Sequence, residues 1–382
     1  MPIQTIADIA VLIPAYQPDH RLGPYVEQLT QAGVQHIVVV DDGSGTDYDD
    51  RFAGLEQFGD TAVLRYAVNR GKGYALRHGM EYIRDHVSHC RFVITADSDG
   101  QHTVTDILRM ADALGENATG LLLGTRDFTG PQVPPKSRMG NRITCRVFQA
   151  LYGQKITDTQ TGLRGFATSM IPHMLLIKGD RYEYEMNQLI HCSIERIPIR
   201  TLPIETVYEN NNAGSHFRAF ADSWRIYRLI LSRFFRFTAS SLFSFVVDYG
   251  LFLLLNWLLK TYVPALNVHM SFLFISFVAR IGVAAAIARV ISATANYLVN
   301  KNMVFFSRAT TMRSFFRYVV TVVLIIALSS GIVSSFNIGL GWSEALTKIP
   351  VDLLLFFLSY YLQRKWVFDV SVPKEHAEKM HG

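Results

Sequence analysis

Short apolar runs alternate with stretches of helical periodicity over the first 200 residues. Ile9-Ala10-Val11-Leu12-Ile13 reads as a strand and residues 21–33 as a helix. His36–Val40 is a second strand, residues 62–67 a third, and residues 72–87 a helix. Arg91–Ala96 and Gly120–Gly124 complete five strands. Strand and helix in this rhythm predict a doubly wound α/β domain with a parallel sheet, whose ligands bind beyond the carboxyl ends of the strands.

The pattern changes near residue 232. Phe237–Leu259 carries one charge, Asp248, and Tyr318–Ser343 carries none, so each is long enough to span a bilayer. Two weaker spans run from about 279 to 299 and from about 342 to 363, the latter with Lys348, Pro350 and Asp352. The apolar run 271–278 is either an extension of the second span or an interfacial piece. Ahead of the first span, Phe217, Phe220, Trp224, Tyr227, Leu231 and Phe234 recur at helical spacing with Arg218, Arg225, Arg228 and Arg233 interleaved. That reads as an interfacial helix lying on anionic headgroups. The expected organisation is a catalytic domain over 1–214, this amphipathic segment over 215–236, an all-α bundle of four spans over 237–370, and a tail over 371–382.

The spans repeat. Phe234-Phe235-Arg236-Phe237 returns as Phe315-Phe316-Arg317-Tyr318. Val304-Phe305, preceded by Tyr297, Asn300 and Lys301, returns as Val367-Phe368, preceded by Tyr360, Gln363 and Arg364. Two parallel helical hairpins follow. Asp248 and Arg289 each lie 11 residues inside a span, roughly 16 Å deep. Unpaired charges there are costly, so the two are expected to pair, either as a structural tie or as a polar layer guiding a lipid phosphate.

Composition sharpens the division. Mean hydropathy is +0.16 and charged residues are 18%, which argues against an ordinary soluble enzyme. Residues 1–232 hold 23 Lys and Arg against 26 Asp and Glu, and residues 233–382 hold 14 against 6. The overall charge of +5 thus belongs to the membrane half, and no nucleic-acid partner follows from it. Twelve basic residues flank the spans on the side of both termini and three on the other, which predicts a multi-pass cell-membrane protein with the first domain and both termini cytosolic. The N-terminus enters a strand with no basic and apolar leader, so no signal peptide is expected. Cys90, Cys145 and Cys192 form no C-x-x-C and read as buried thiols.

Chemistry gathers at the strand ends: Pro14-Ala15-Tyr16, Asp41-Asp42-Gly43-Ser44, Asn69-Arg70-Gly71-Lys72-Gly73 and Asp97-Ser98-Asp99-Gly100-Gln101-His102. In an extended segment Asp97 and Asp99 face one way, with Gln101 next. Two hard oxygen donors plus substrate phosphates suit Mg2+ or Mn2+, although a lone D-x-D is more often a solvated turn. Asp42 is either a ribose or base acceptor or an Asx-turn residue. Lys72, glycine-flanked at a helix start, is either an anion contact or part of a helix cap, and no Walker A motif is present.

Taken in order, these motifs resemble the family 2 glycosyltransferases of the GT-A fold, of the dolichyl- or polyprenyl-phosphate sugar transferase type. Gly124-Thr125-Arg126, Ser137-Arg138-x-Gly140-Asn141-Arg142, Asp158-Thr159-Gln160-Thr161-Gly162-Leu163-Arg164 and Tyr182-Glu183-Tyr184-Glu185 add to the match, over about residues 8–232. Gln17-Pro18-Asp19 follows Tyr16 where the family often has Asn-Glu. Residues 234–370 resemble the small GtrA-type membrane domain.

The resemblance implies that Pro14, Tyr16 and Asp42 contact the nucleoside and that Asp97, Asp99 and Gln101 surround a metal–diphosphate; Ala15, Lys72 and Ser98 join the nucleotide set. It implies an inverting transfer from a UDP- or GDP-linked sugar. A polyprenyl phosphate is already ionised and needs positive charge rather than a general base. Arg126, Arg138 and Arg218 are candidates for the catalytic charge, and Arg138, Arg142, His216 and Arg218 for the acceptor phosphate. The expected activity modifies cell-wall or cell-surface glycans, with homo-oligomers allowed. Two alternatives remain: the membrane half flips the lipid-linked sugar, or the chain is a processive polysaccharide synthase. Against the last, Gln188-Leu189-Ile190-His191-Cys192 does not match Q-x-x-R-W.

Overall fold

The computed structural model describes residues 6–368 except 88, 117–118, 129, 131–132, 134, 206–226, 273–274, 306, 308–309 and 341–343. The chain divides into two units, Met1–Ile230 and Leu231–Gly382.

The first unit is built on a seven-stranded sheet of order β3-β2-β1-β4-β6-β5-β7. Its strands are β1 (Ile9–Ala15), β2 (His36–Asp41), β3 (Asp60–Arg65), β4 (Phe92–Thr95), β5 (Leu121–Arg126), β6 (Arg164–Ala167) and β7 (Ile199–Ile204). β1 is buried along its whole length, as a central strand covered on both faces must be. Ile9, Val11 and Ile13 pack with Val26 and Leu29 of α1 (Leu22–Gln31) and with Ile107 and Met110 of α3 (Val104–Glu116). Leu12 points the other way, against Gly79 of α2 (Lys72–His86), where an added Cβ would lie 2.2 Å from Leu12 Cδ1. The alternation that makes the run a strand therefore also decides which helix covers which face.

The expectation of a parallel sheet needs one correction. β6 runs antiparallel between β4 and β5, with Thr95 opposite Arg164. A parallel strand reaches the carboxyl edge only with its last residues; an antiparallel one brings its first. β6 thereby delivers the 158–164 loop to the edge where β1, β2 and β4 end. Four residues carry too short an alternation to reveal it. β7 and α5 (Glu183–Glu195) also lay outside the expected elements.

The second unit contains α6 (Ser232–Tyr262), α7 (Ala279–Val299), α8 (Thr311–Leu340) and α9 (Glu344–Leu362). α6 packs on α7 and α8 on α9, the two expected hairpins. Three described helices are long and apolar enough to cross a membrane: Phe234–Tyr262, Ala279–Val304 and Thr311–Ser329. Most of the amphipathic segment 215–236 lies outside the described residues; its last residues, from Ser232, continue directly into α6. Residues 269–272 and 275–278 form an antiparallel strand pair, so the run at 271–278 does not extend the α7 helix.

The internal repeat has a structural counterpart. Asn300–Val304 and Gln363–Val367 both form a π turn closed by the same bond, Phe305 N–H to Asn300 O and Phe368 N–H to Gln363 O, each 2.9 Å. Asn300 Nδ2 donates to Gln363 Oε1 (3.0 Å) and Asn296 Oδ1 (2.9 Å). Tyr318 donates to the same Asn296 oxygen, and Asn296 Nδ2 donates to the Ser240 carbonyl. This buried seam ties both hairpins together where lipid-like surroundings give apolar contacts no advantage over hydrocarbon.

Each hairpin also holds an aspartate between a cation and a serine. Asp248 takes Arg289 at 3.1 Å and Ser292 at 2.8 Å; Asp352 takes Lys348 at 2.9 Å and Ser329 at 2.6 Å. Reversing either charge of the first pair, Asp248→Arg or Arg289→Asp, lowers the thermal midpoint of the full chain in nanodiscs by about 5 °C. Making both changes together recovers most of that loss in scanning fluorimetry. A double variant no more stable than the singles would mean the pair does not hold these helices.

Candidate active site

β1 and β2 end side by side, with Ala15 opposite Asp41. The next turn is held by Gln17 N–H on Ser44 Oγ (2.8 Å), with Gln17 at φ +49°, and by Asp42 N–H on the Ala15 carbonyl (2.8 Å). Tyr16 is half-buried at that turn. Pro14, Ala15 and Tyr16 thus lie at the carboxyl edge, as the strand-end reading requires.

Asp42 is 2% exposed, and both carboxylate oxygens are engaged. Oδ1 accepts Tyr66 OH (2.7 Å) and the amides of Arg70 (2.8 Å) and Gly71; Oδ2 accepts Asn69 Nδ2 (3.0 Å) and Gly71 N–H (2.8 Å). Burial raises its pKa despite these donors. Its visible work is to pin the 69–71 loop to the end of β2 and so to fix where α2 begins. Gly43 permits the approach: at φ +68°, a Cβ there would meet Asn69 N at 2.4 Å.

α2 starts at Lys72, which aims its ammonium into the site from a helix N-terminus, an end that favours anions. Lys72 Nζ lies 2.6 Å from Asp97 Oδ1 and 2.9 Å from Glu185 Oε1. Burial alone would lower its pKa, but Asp97 and Glu185 outweigh that and raise it above the usual lysine value. Burial likewise works against an ionised Asp97, yet the Lys72 ammonium holds its carboxyl below the usual range, at about 2.

Asp97 and Asp99 follow β4 directly. Gln101 N–H donates to Asp99 Oδ1 (3.0 Å), and burial together with the Asp97 charge raises the Asp99 pKa. Asp97 N–H donates to His102 Nδ1 (3.0 Å), so the buried imidazole carries its proton on Nε2; burial keeps it neutral by lowering its pKa. Ser98 is half-buried between the two aspartates.

The 158–164 loop closes over this turn. Thr95 Oγ1 donates to the Gly162 carbonyl (2.8 Å), and a Cβ on Gly162 would sit 2.5 Å from Asp97 Oδ2. Asp158, fully buried, takes Arg126 Nε (2.7 Å) and Nη2 (3.2 Å), so the guanidinium at the end of β5 is held by a fixed carboxylate. Arg164 is buried at the start of β6, donating to the Thr161 carbonyl (2.9 Å), the Glu185 carbonyl (2.7 Å) and Gln188 Oε1 (2.7 Å).

The donor set fits a hard divalent cation. Burial first, and then the neighbouring Asp97 charge, disfavour an ionised Asp99, and a dication between the two carboxylates would offset both. Among the described residues no group of three or more His, Cys, Asp or Glu forms a metal cluster. A cation there would complete its shell with ligand oxygens or water, as Mg2+ and Mn2+ sites in nucleotide enzymes do.

The remaining candidates divide. Arg138 and Arg142 lie one turn apart on α4 (Pro135–Tyr152); Arg138 Nη2 donates to the Gly130 carbonyl (2.7 Å), and Arg142 is exposed. His216 and Arg218 lie outside the described residues. Glu185, His102 and the buried Arg164 are site residues to which the sequence reading gave no role. The signal for Glu185 was present in Tyr182-Glu183-Tyr184-Glu185, but nothing in that run tells which acid turns inward.

The class follows from this arrangement and from comparison. Residues 10–175 match the family model described as "Glycosyl transferase family 2", and residues 236–368 match that of "GtrA/DPMS, transmembrane domain". The chain contains a family 2 glycosyltransferase domain followed by a GtrA/DPMS-type membrane domain. Among its relatives is the UDP-N-acetylglucosamine–dolichyl-phosphate N-acetylglucosaminyltransferase of Methanococcus voltae, 24% identical over 58% of this chain and 95% of that protein. Another is the dolichyl-phosphate beta-glucosyltransferase of Saccharomyces cerevisiae, 26% identical over 51% of this chain and 66% of that protein. Glucosyl-3-phosphoglycerate synthase from Mycobacterium tuberculosis superposes with a TM-score of 0.45 at 17% identity, over 59% of this chain and 78% of the other.

Gly162→Ala tests the loop over Asp97. The new methyl displaces the carboxylate while leaving the sheet in place, and transfer falls about a hundredfold with an unchanged circular dichroism spectrum. Activity within threefold of wild type would mean that Asp97 need not sit where it does.

Proposed function

We propose that the chain transfers one sugar from a nucleoside diphosphate sugar to a polyprenyl phosphate at the cytosolic membrane surface, with inversion and with Mg2+ or Mn2+. The observation that carries this reading is the Asp97–Asp99 pair with the Lys72 ammonium against it, in a chain that also contains a GtrA/DPMS-type membrane domain. The two dolichyl-phosphate transferases among its relatives support the acceptor class.

Pro14, Ala15 and Tyr16 line the nucleoside side, at the end of β1 beside the end of β2. Asp42 contributes by holding the 69–71 loop and hence Lys72. The Lys72 ammonium and the α2 N-terminus attract the diphosphate. Asp97 and Asp99 would hold the divalent cation, which when bound neutralises charge developing on the leaving diphosphate. Arg126, kept in place by Asp158, adds positive charge at the end of β5. Arg138 and Arg142 are assigned to the acceptor phosphate, together with His216 and Arg218. The acceptor oxygen is ionised at neutral pH, so these side chains need only hold two anions close and in line. The twelve-to-three distribution of basic residues supports a cytosolic catalytic domain, on the side where sugar nucleotides are made.

Membranes containing the full chain are incubated with radiolabelled UDP- and GDP-sugars and undecaprenyl phosphate, with and without EDTA. Label enters the organic phase from one donor, disappears with EDTA and returns with excess Mg2+ or Mn2+. Asp97→Ala and Asp99→Ala each lower incorporation about a hundredfold or more. No lipid label from any donor overturns the acceptor assignment; EDTA-insensitive labelling overturns the metal assignment.

A further inference from the structure

The Lys72 ammonium occupies one oxygen of a carboxylate that, on the reading above, must also hold a dication. Lys72 Nζ is 2.6 Å from Asp97 Oδ1, and Asp97 Oδ2 is confined by Gly162. Ammonium and dication repel, and a shared carboxylate oxygen cannot serve both at full strength. Lys72 therefore has to give way when a cation binds, yet an ammonium on a side chain only 17% exposed is disfavoured if left unpaired.

Glu185 meets that need. Its side chain is 8% exposed and reaches the ammonium from α5, an element separate from the Asp97–Asp99 turn, at 2.9 Å. Its own position is fixed from behind, because its carbonyl accepts the buried Arg164 guanidinium, which also engages Gln188. Gly73 lets α2 approach α5 closely: a Cβ there would lie 2.5 Å from Tyr184 Cβ.

We propose that Glu185 is a positioning residue that draws the Lys72 ammonium off Asp97, opening that carboxylate to a divalent cation and keeping the ammonium beside it for the diphosphate. This rests on the reading of Asp97 and Asp99 as cation ligands. Lys72 is thus a competitor for Asp97 before the cation arrives and its neighbour afterwards, with Glu185 setting the balance.

The test is Mn2+ binding, read by electron paramagnetic resonance on the full chain in nanodiscs without nucleotide, with Asp97→Ala as the site control. Glu185→Gln leaves Lys72 with Asp97 alone and weakens Mn2+ about tenfold; Glu185→Asp, which keeps the charge, loses less. Lys72→Met removes the competitor and tightens Mn2+ several-fold, a gain that misfolding cannot produce. In the Lys72→Met background, Glu185→Gln changes affinity by less than about twofold, because its partner is gone. Equal affinity in wild type and Glu185→Gln overturns the inference while leaving the metal reading intact. So does an equal loss in both backgrounds, which would mark Glu185 as a through-space charge. Wild-type protein with no Mn2+ at the Asp97 site overturns the metal reading, and the inference with it.

Discussion

A half-buried ammonium between two carboxylates organises the catalytic edge. Lys72 sits within 3 Å of both Asp97 and Glu185, which come from different parts of the chain. Desolvation would make each of these charges costly alone; together they offset one another, and removing Lys72 would leave two carboxylates without their shared partner. Much of the surrounding architecture keeps the three in place. Asp42 pins the loop before Lys72, Gly162 has no side chain and so leaves room for the Asp97 carboxylate, and Arg164 grips the backbone of Glu185. The antiparallel β6 has its reason here, since only a strand starting at that edge can deliver both Gly162 and Arg164.

Much of this was legible in the sequence where the signal was local. Unbroken apolar runs marked β1 and β2, and the acids and glycines after them lie at the carboxyl edge of the sheet. Asp97, Asp99 and Lys72 stood out because their spacing has a direct geometric meaning in an extended turn or at a helix start. What could not be read were partnerships between distant segments. Nothing near Asp42 tells that residues 66–71 consume its lone pairs, and nothing near Glu185 tells that it meets Lys72 more than 100 residues away. β6 escaped because four residues that include a glycine carry no period.

The membrane unit follows another logic. Its apolar faces set which segments form helices but give little preference for one packing over another. Specificity then falls to the few polar side chains that must be satisfied inside. The sequence repeat exposed Asn300 with Gln363, and Asp352 lies 11 residues before Gln363 as Arg289 lies 11 before Asn300. Asn300 and Gln363 each open a π turn, and each hairpin holds an aspartate between a cation and a serine.

The account turns on Asp97 and Asp99 gripping a divalent cation. Crystals of the full chain grown with Mn2+ and a nucleoside diphosphate, measured at the manganese absorption edge, address this directly. The account predicts an anomalous peak between the two carboxylates and the diphosphate, with Lys72 Nζ moved from Asp97 towards Glu185. A peak elsewhere, or a bound diphosphate with Lys72 still on Asp97 and no manganese beside it, would contradict the account.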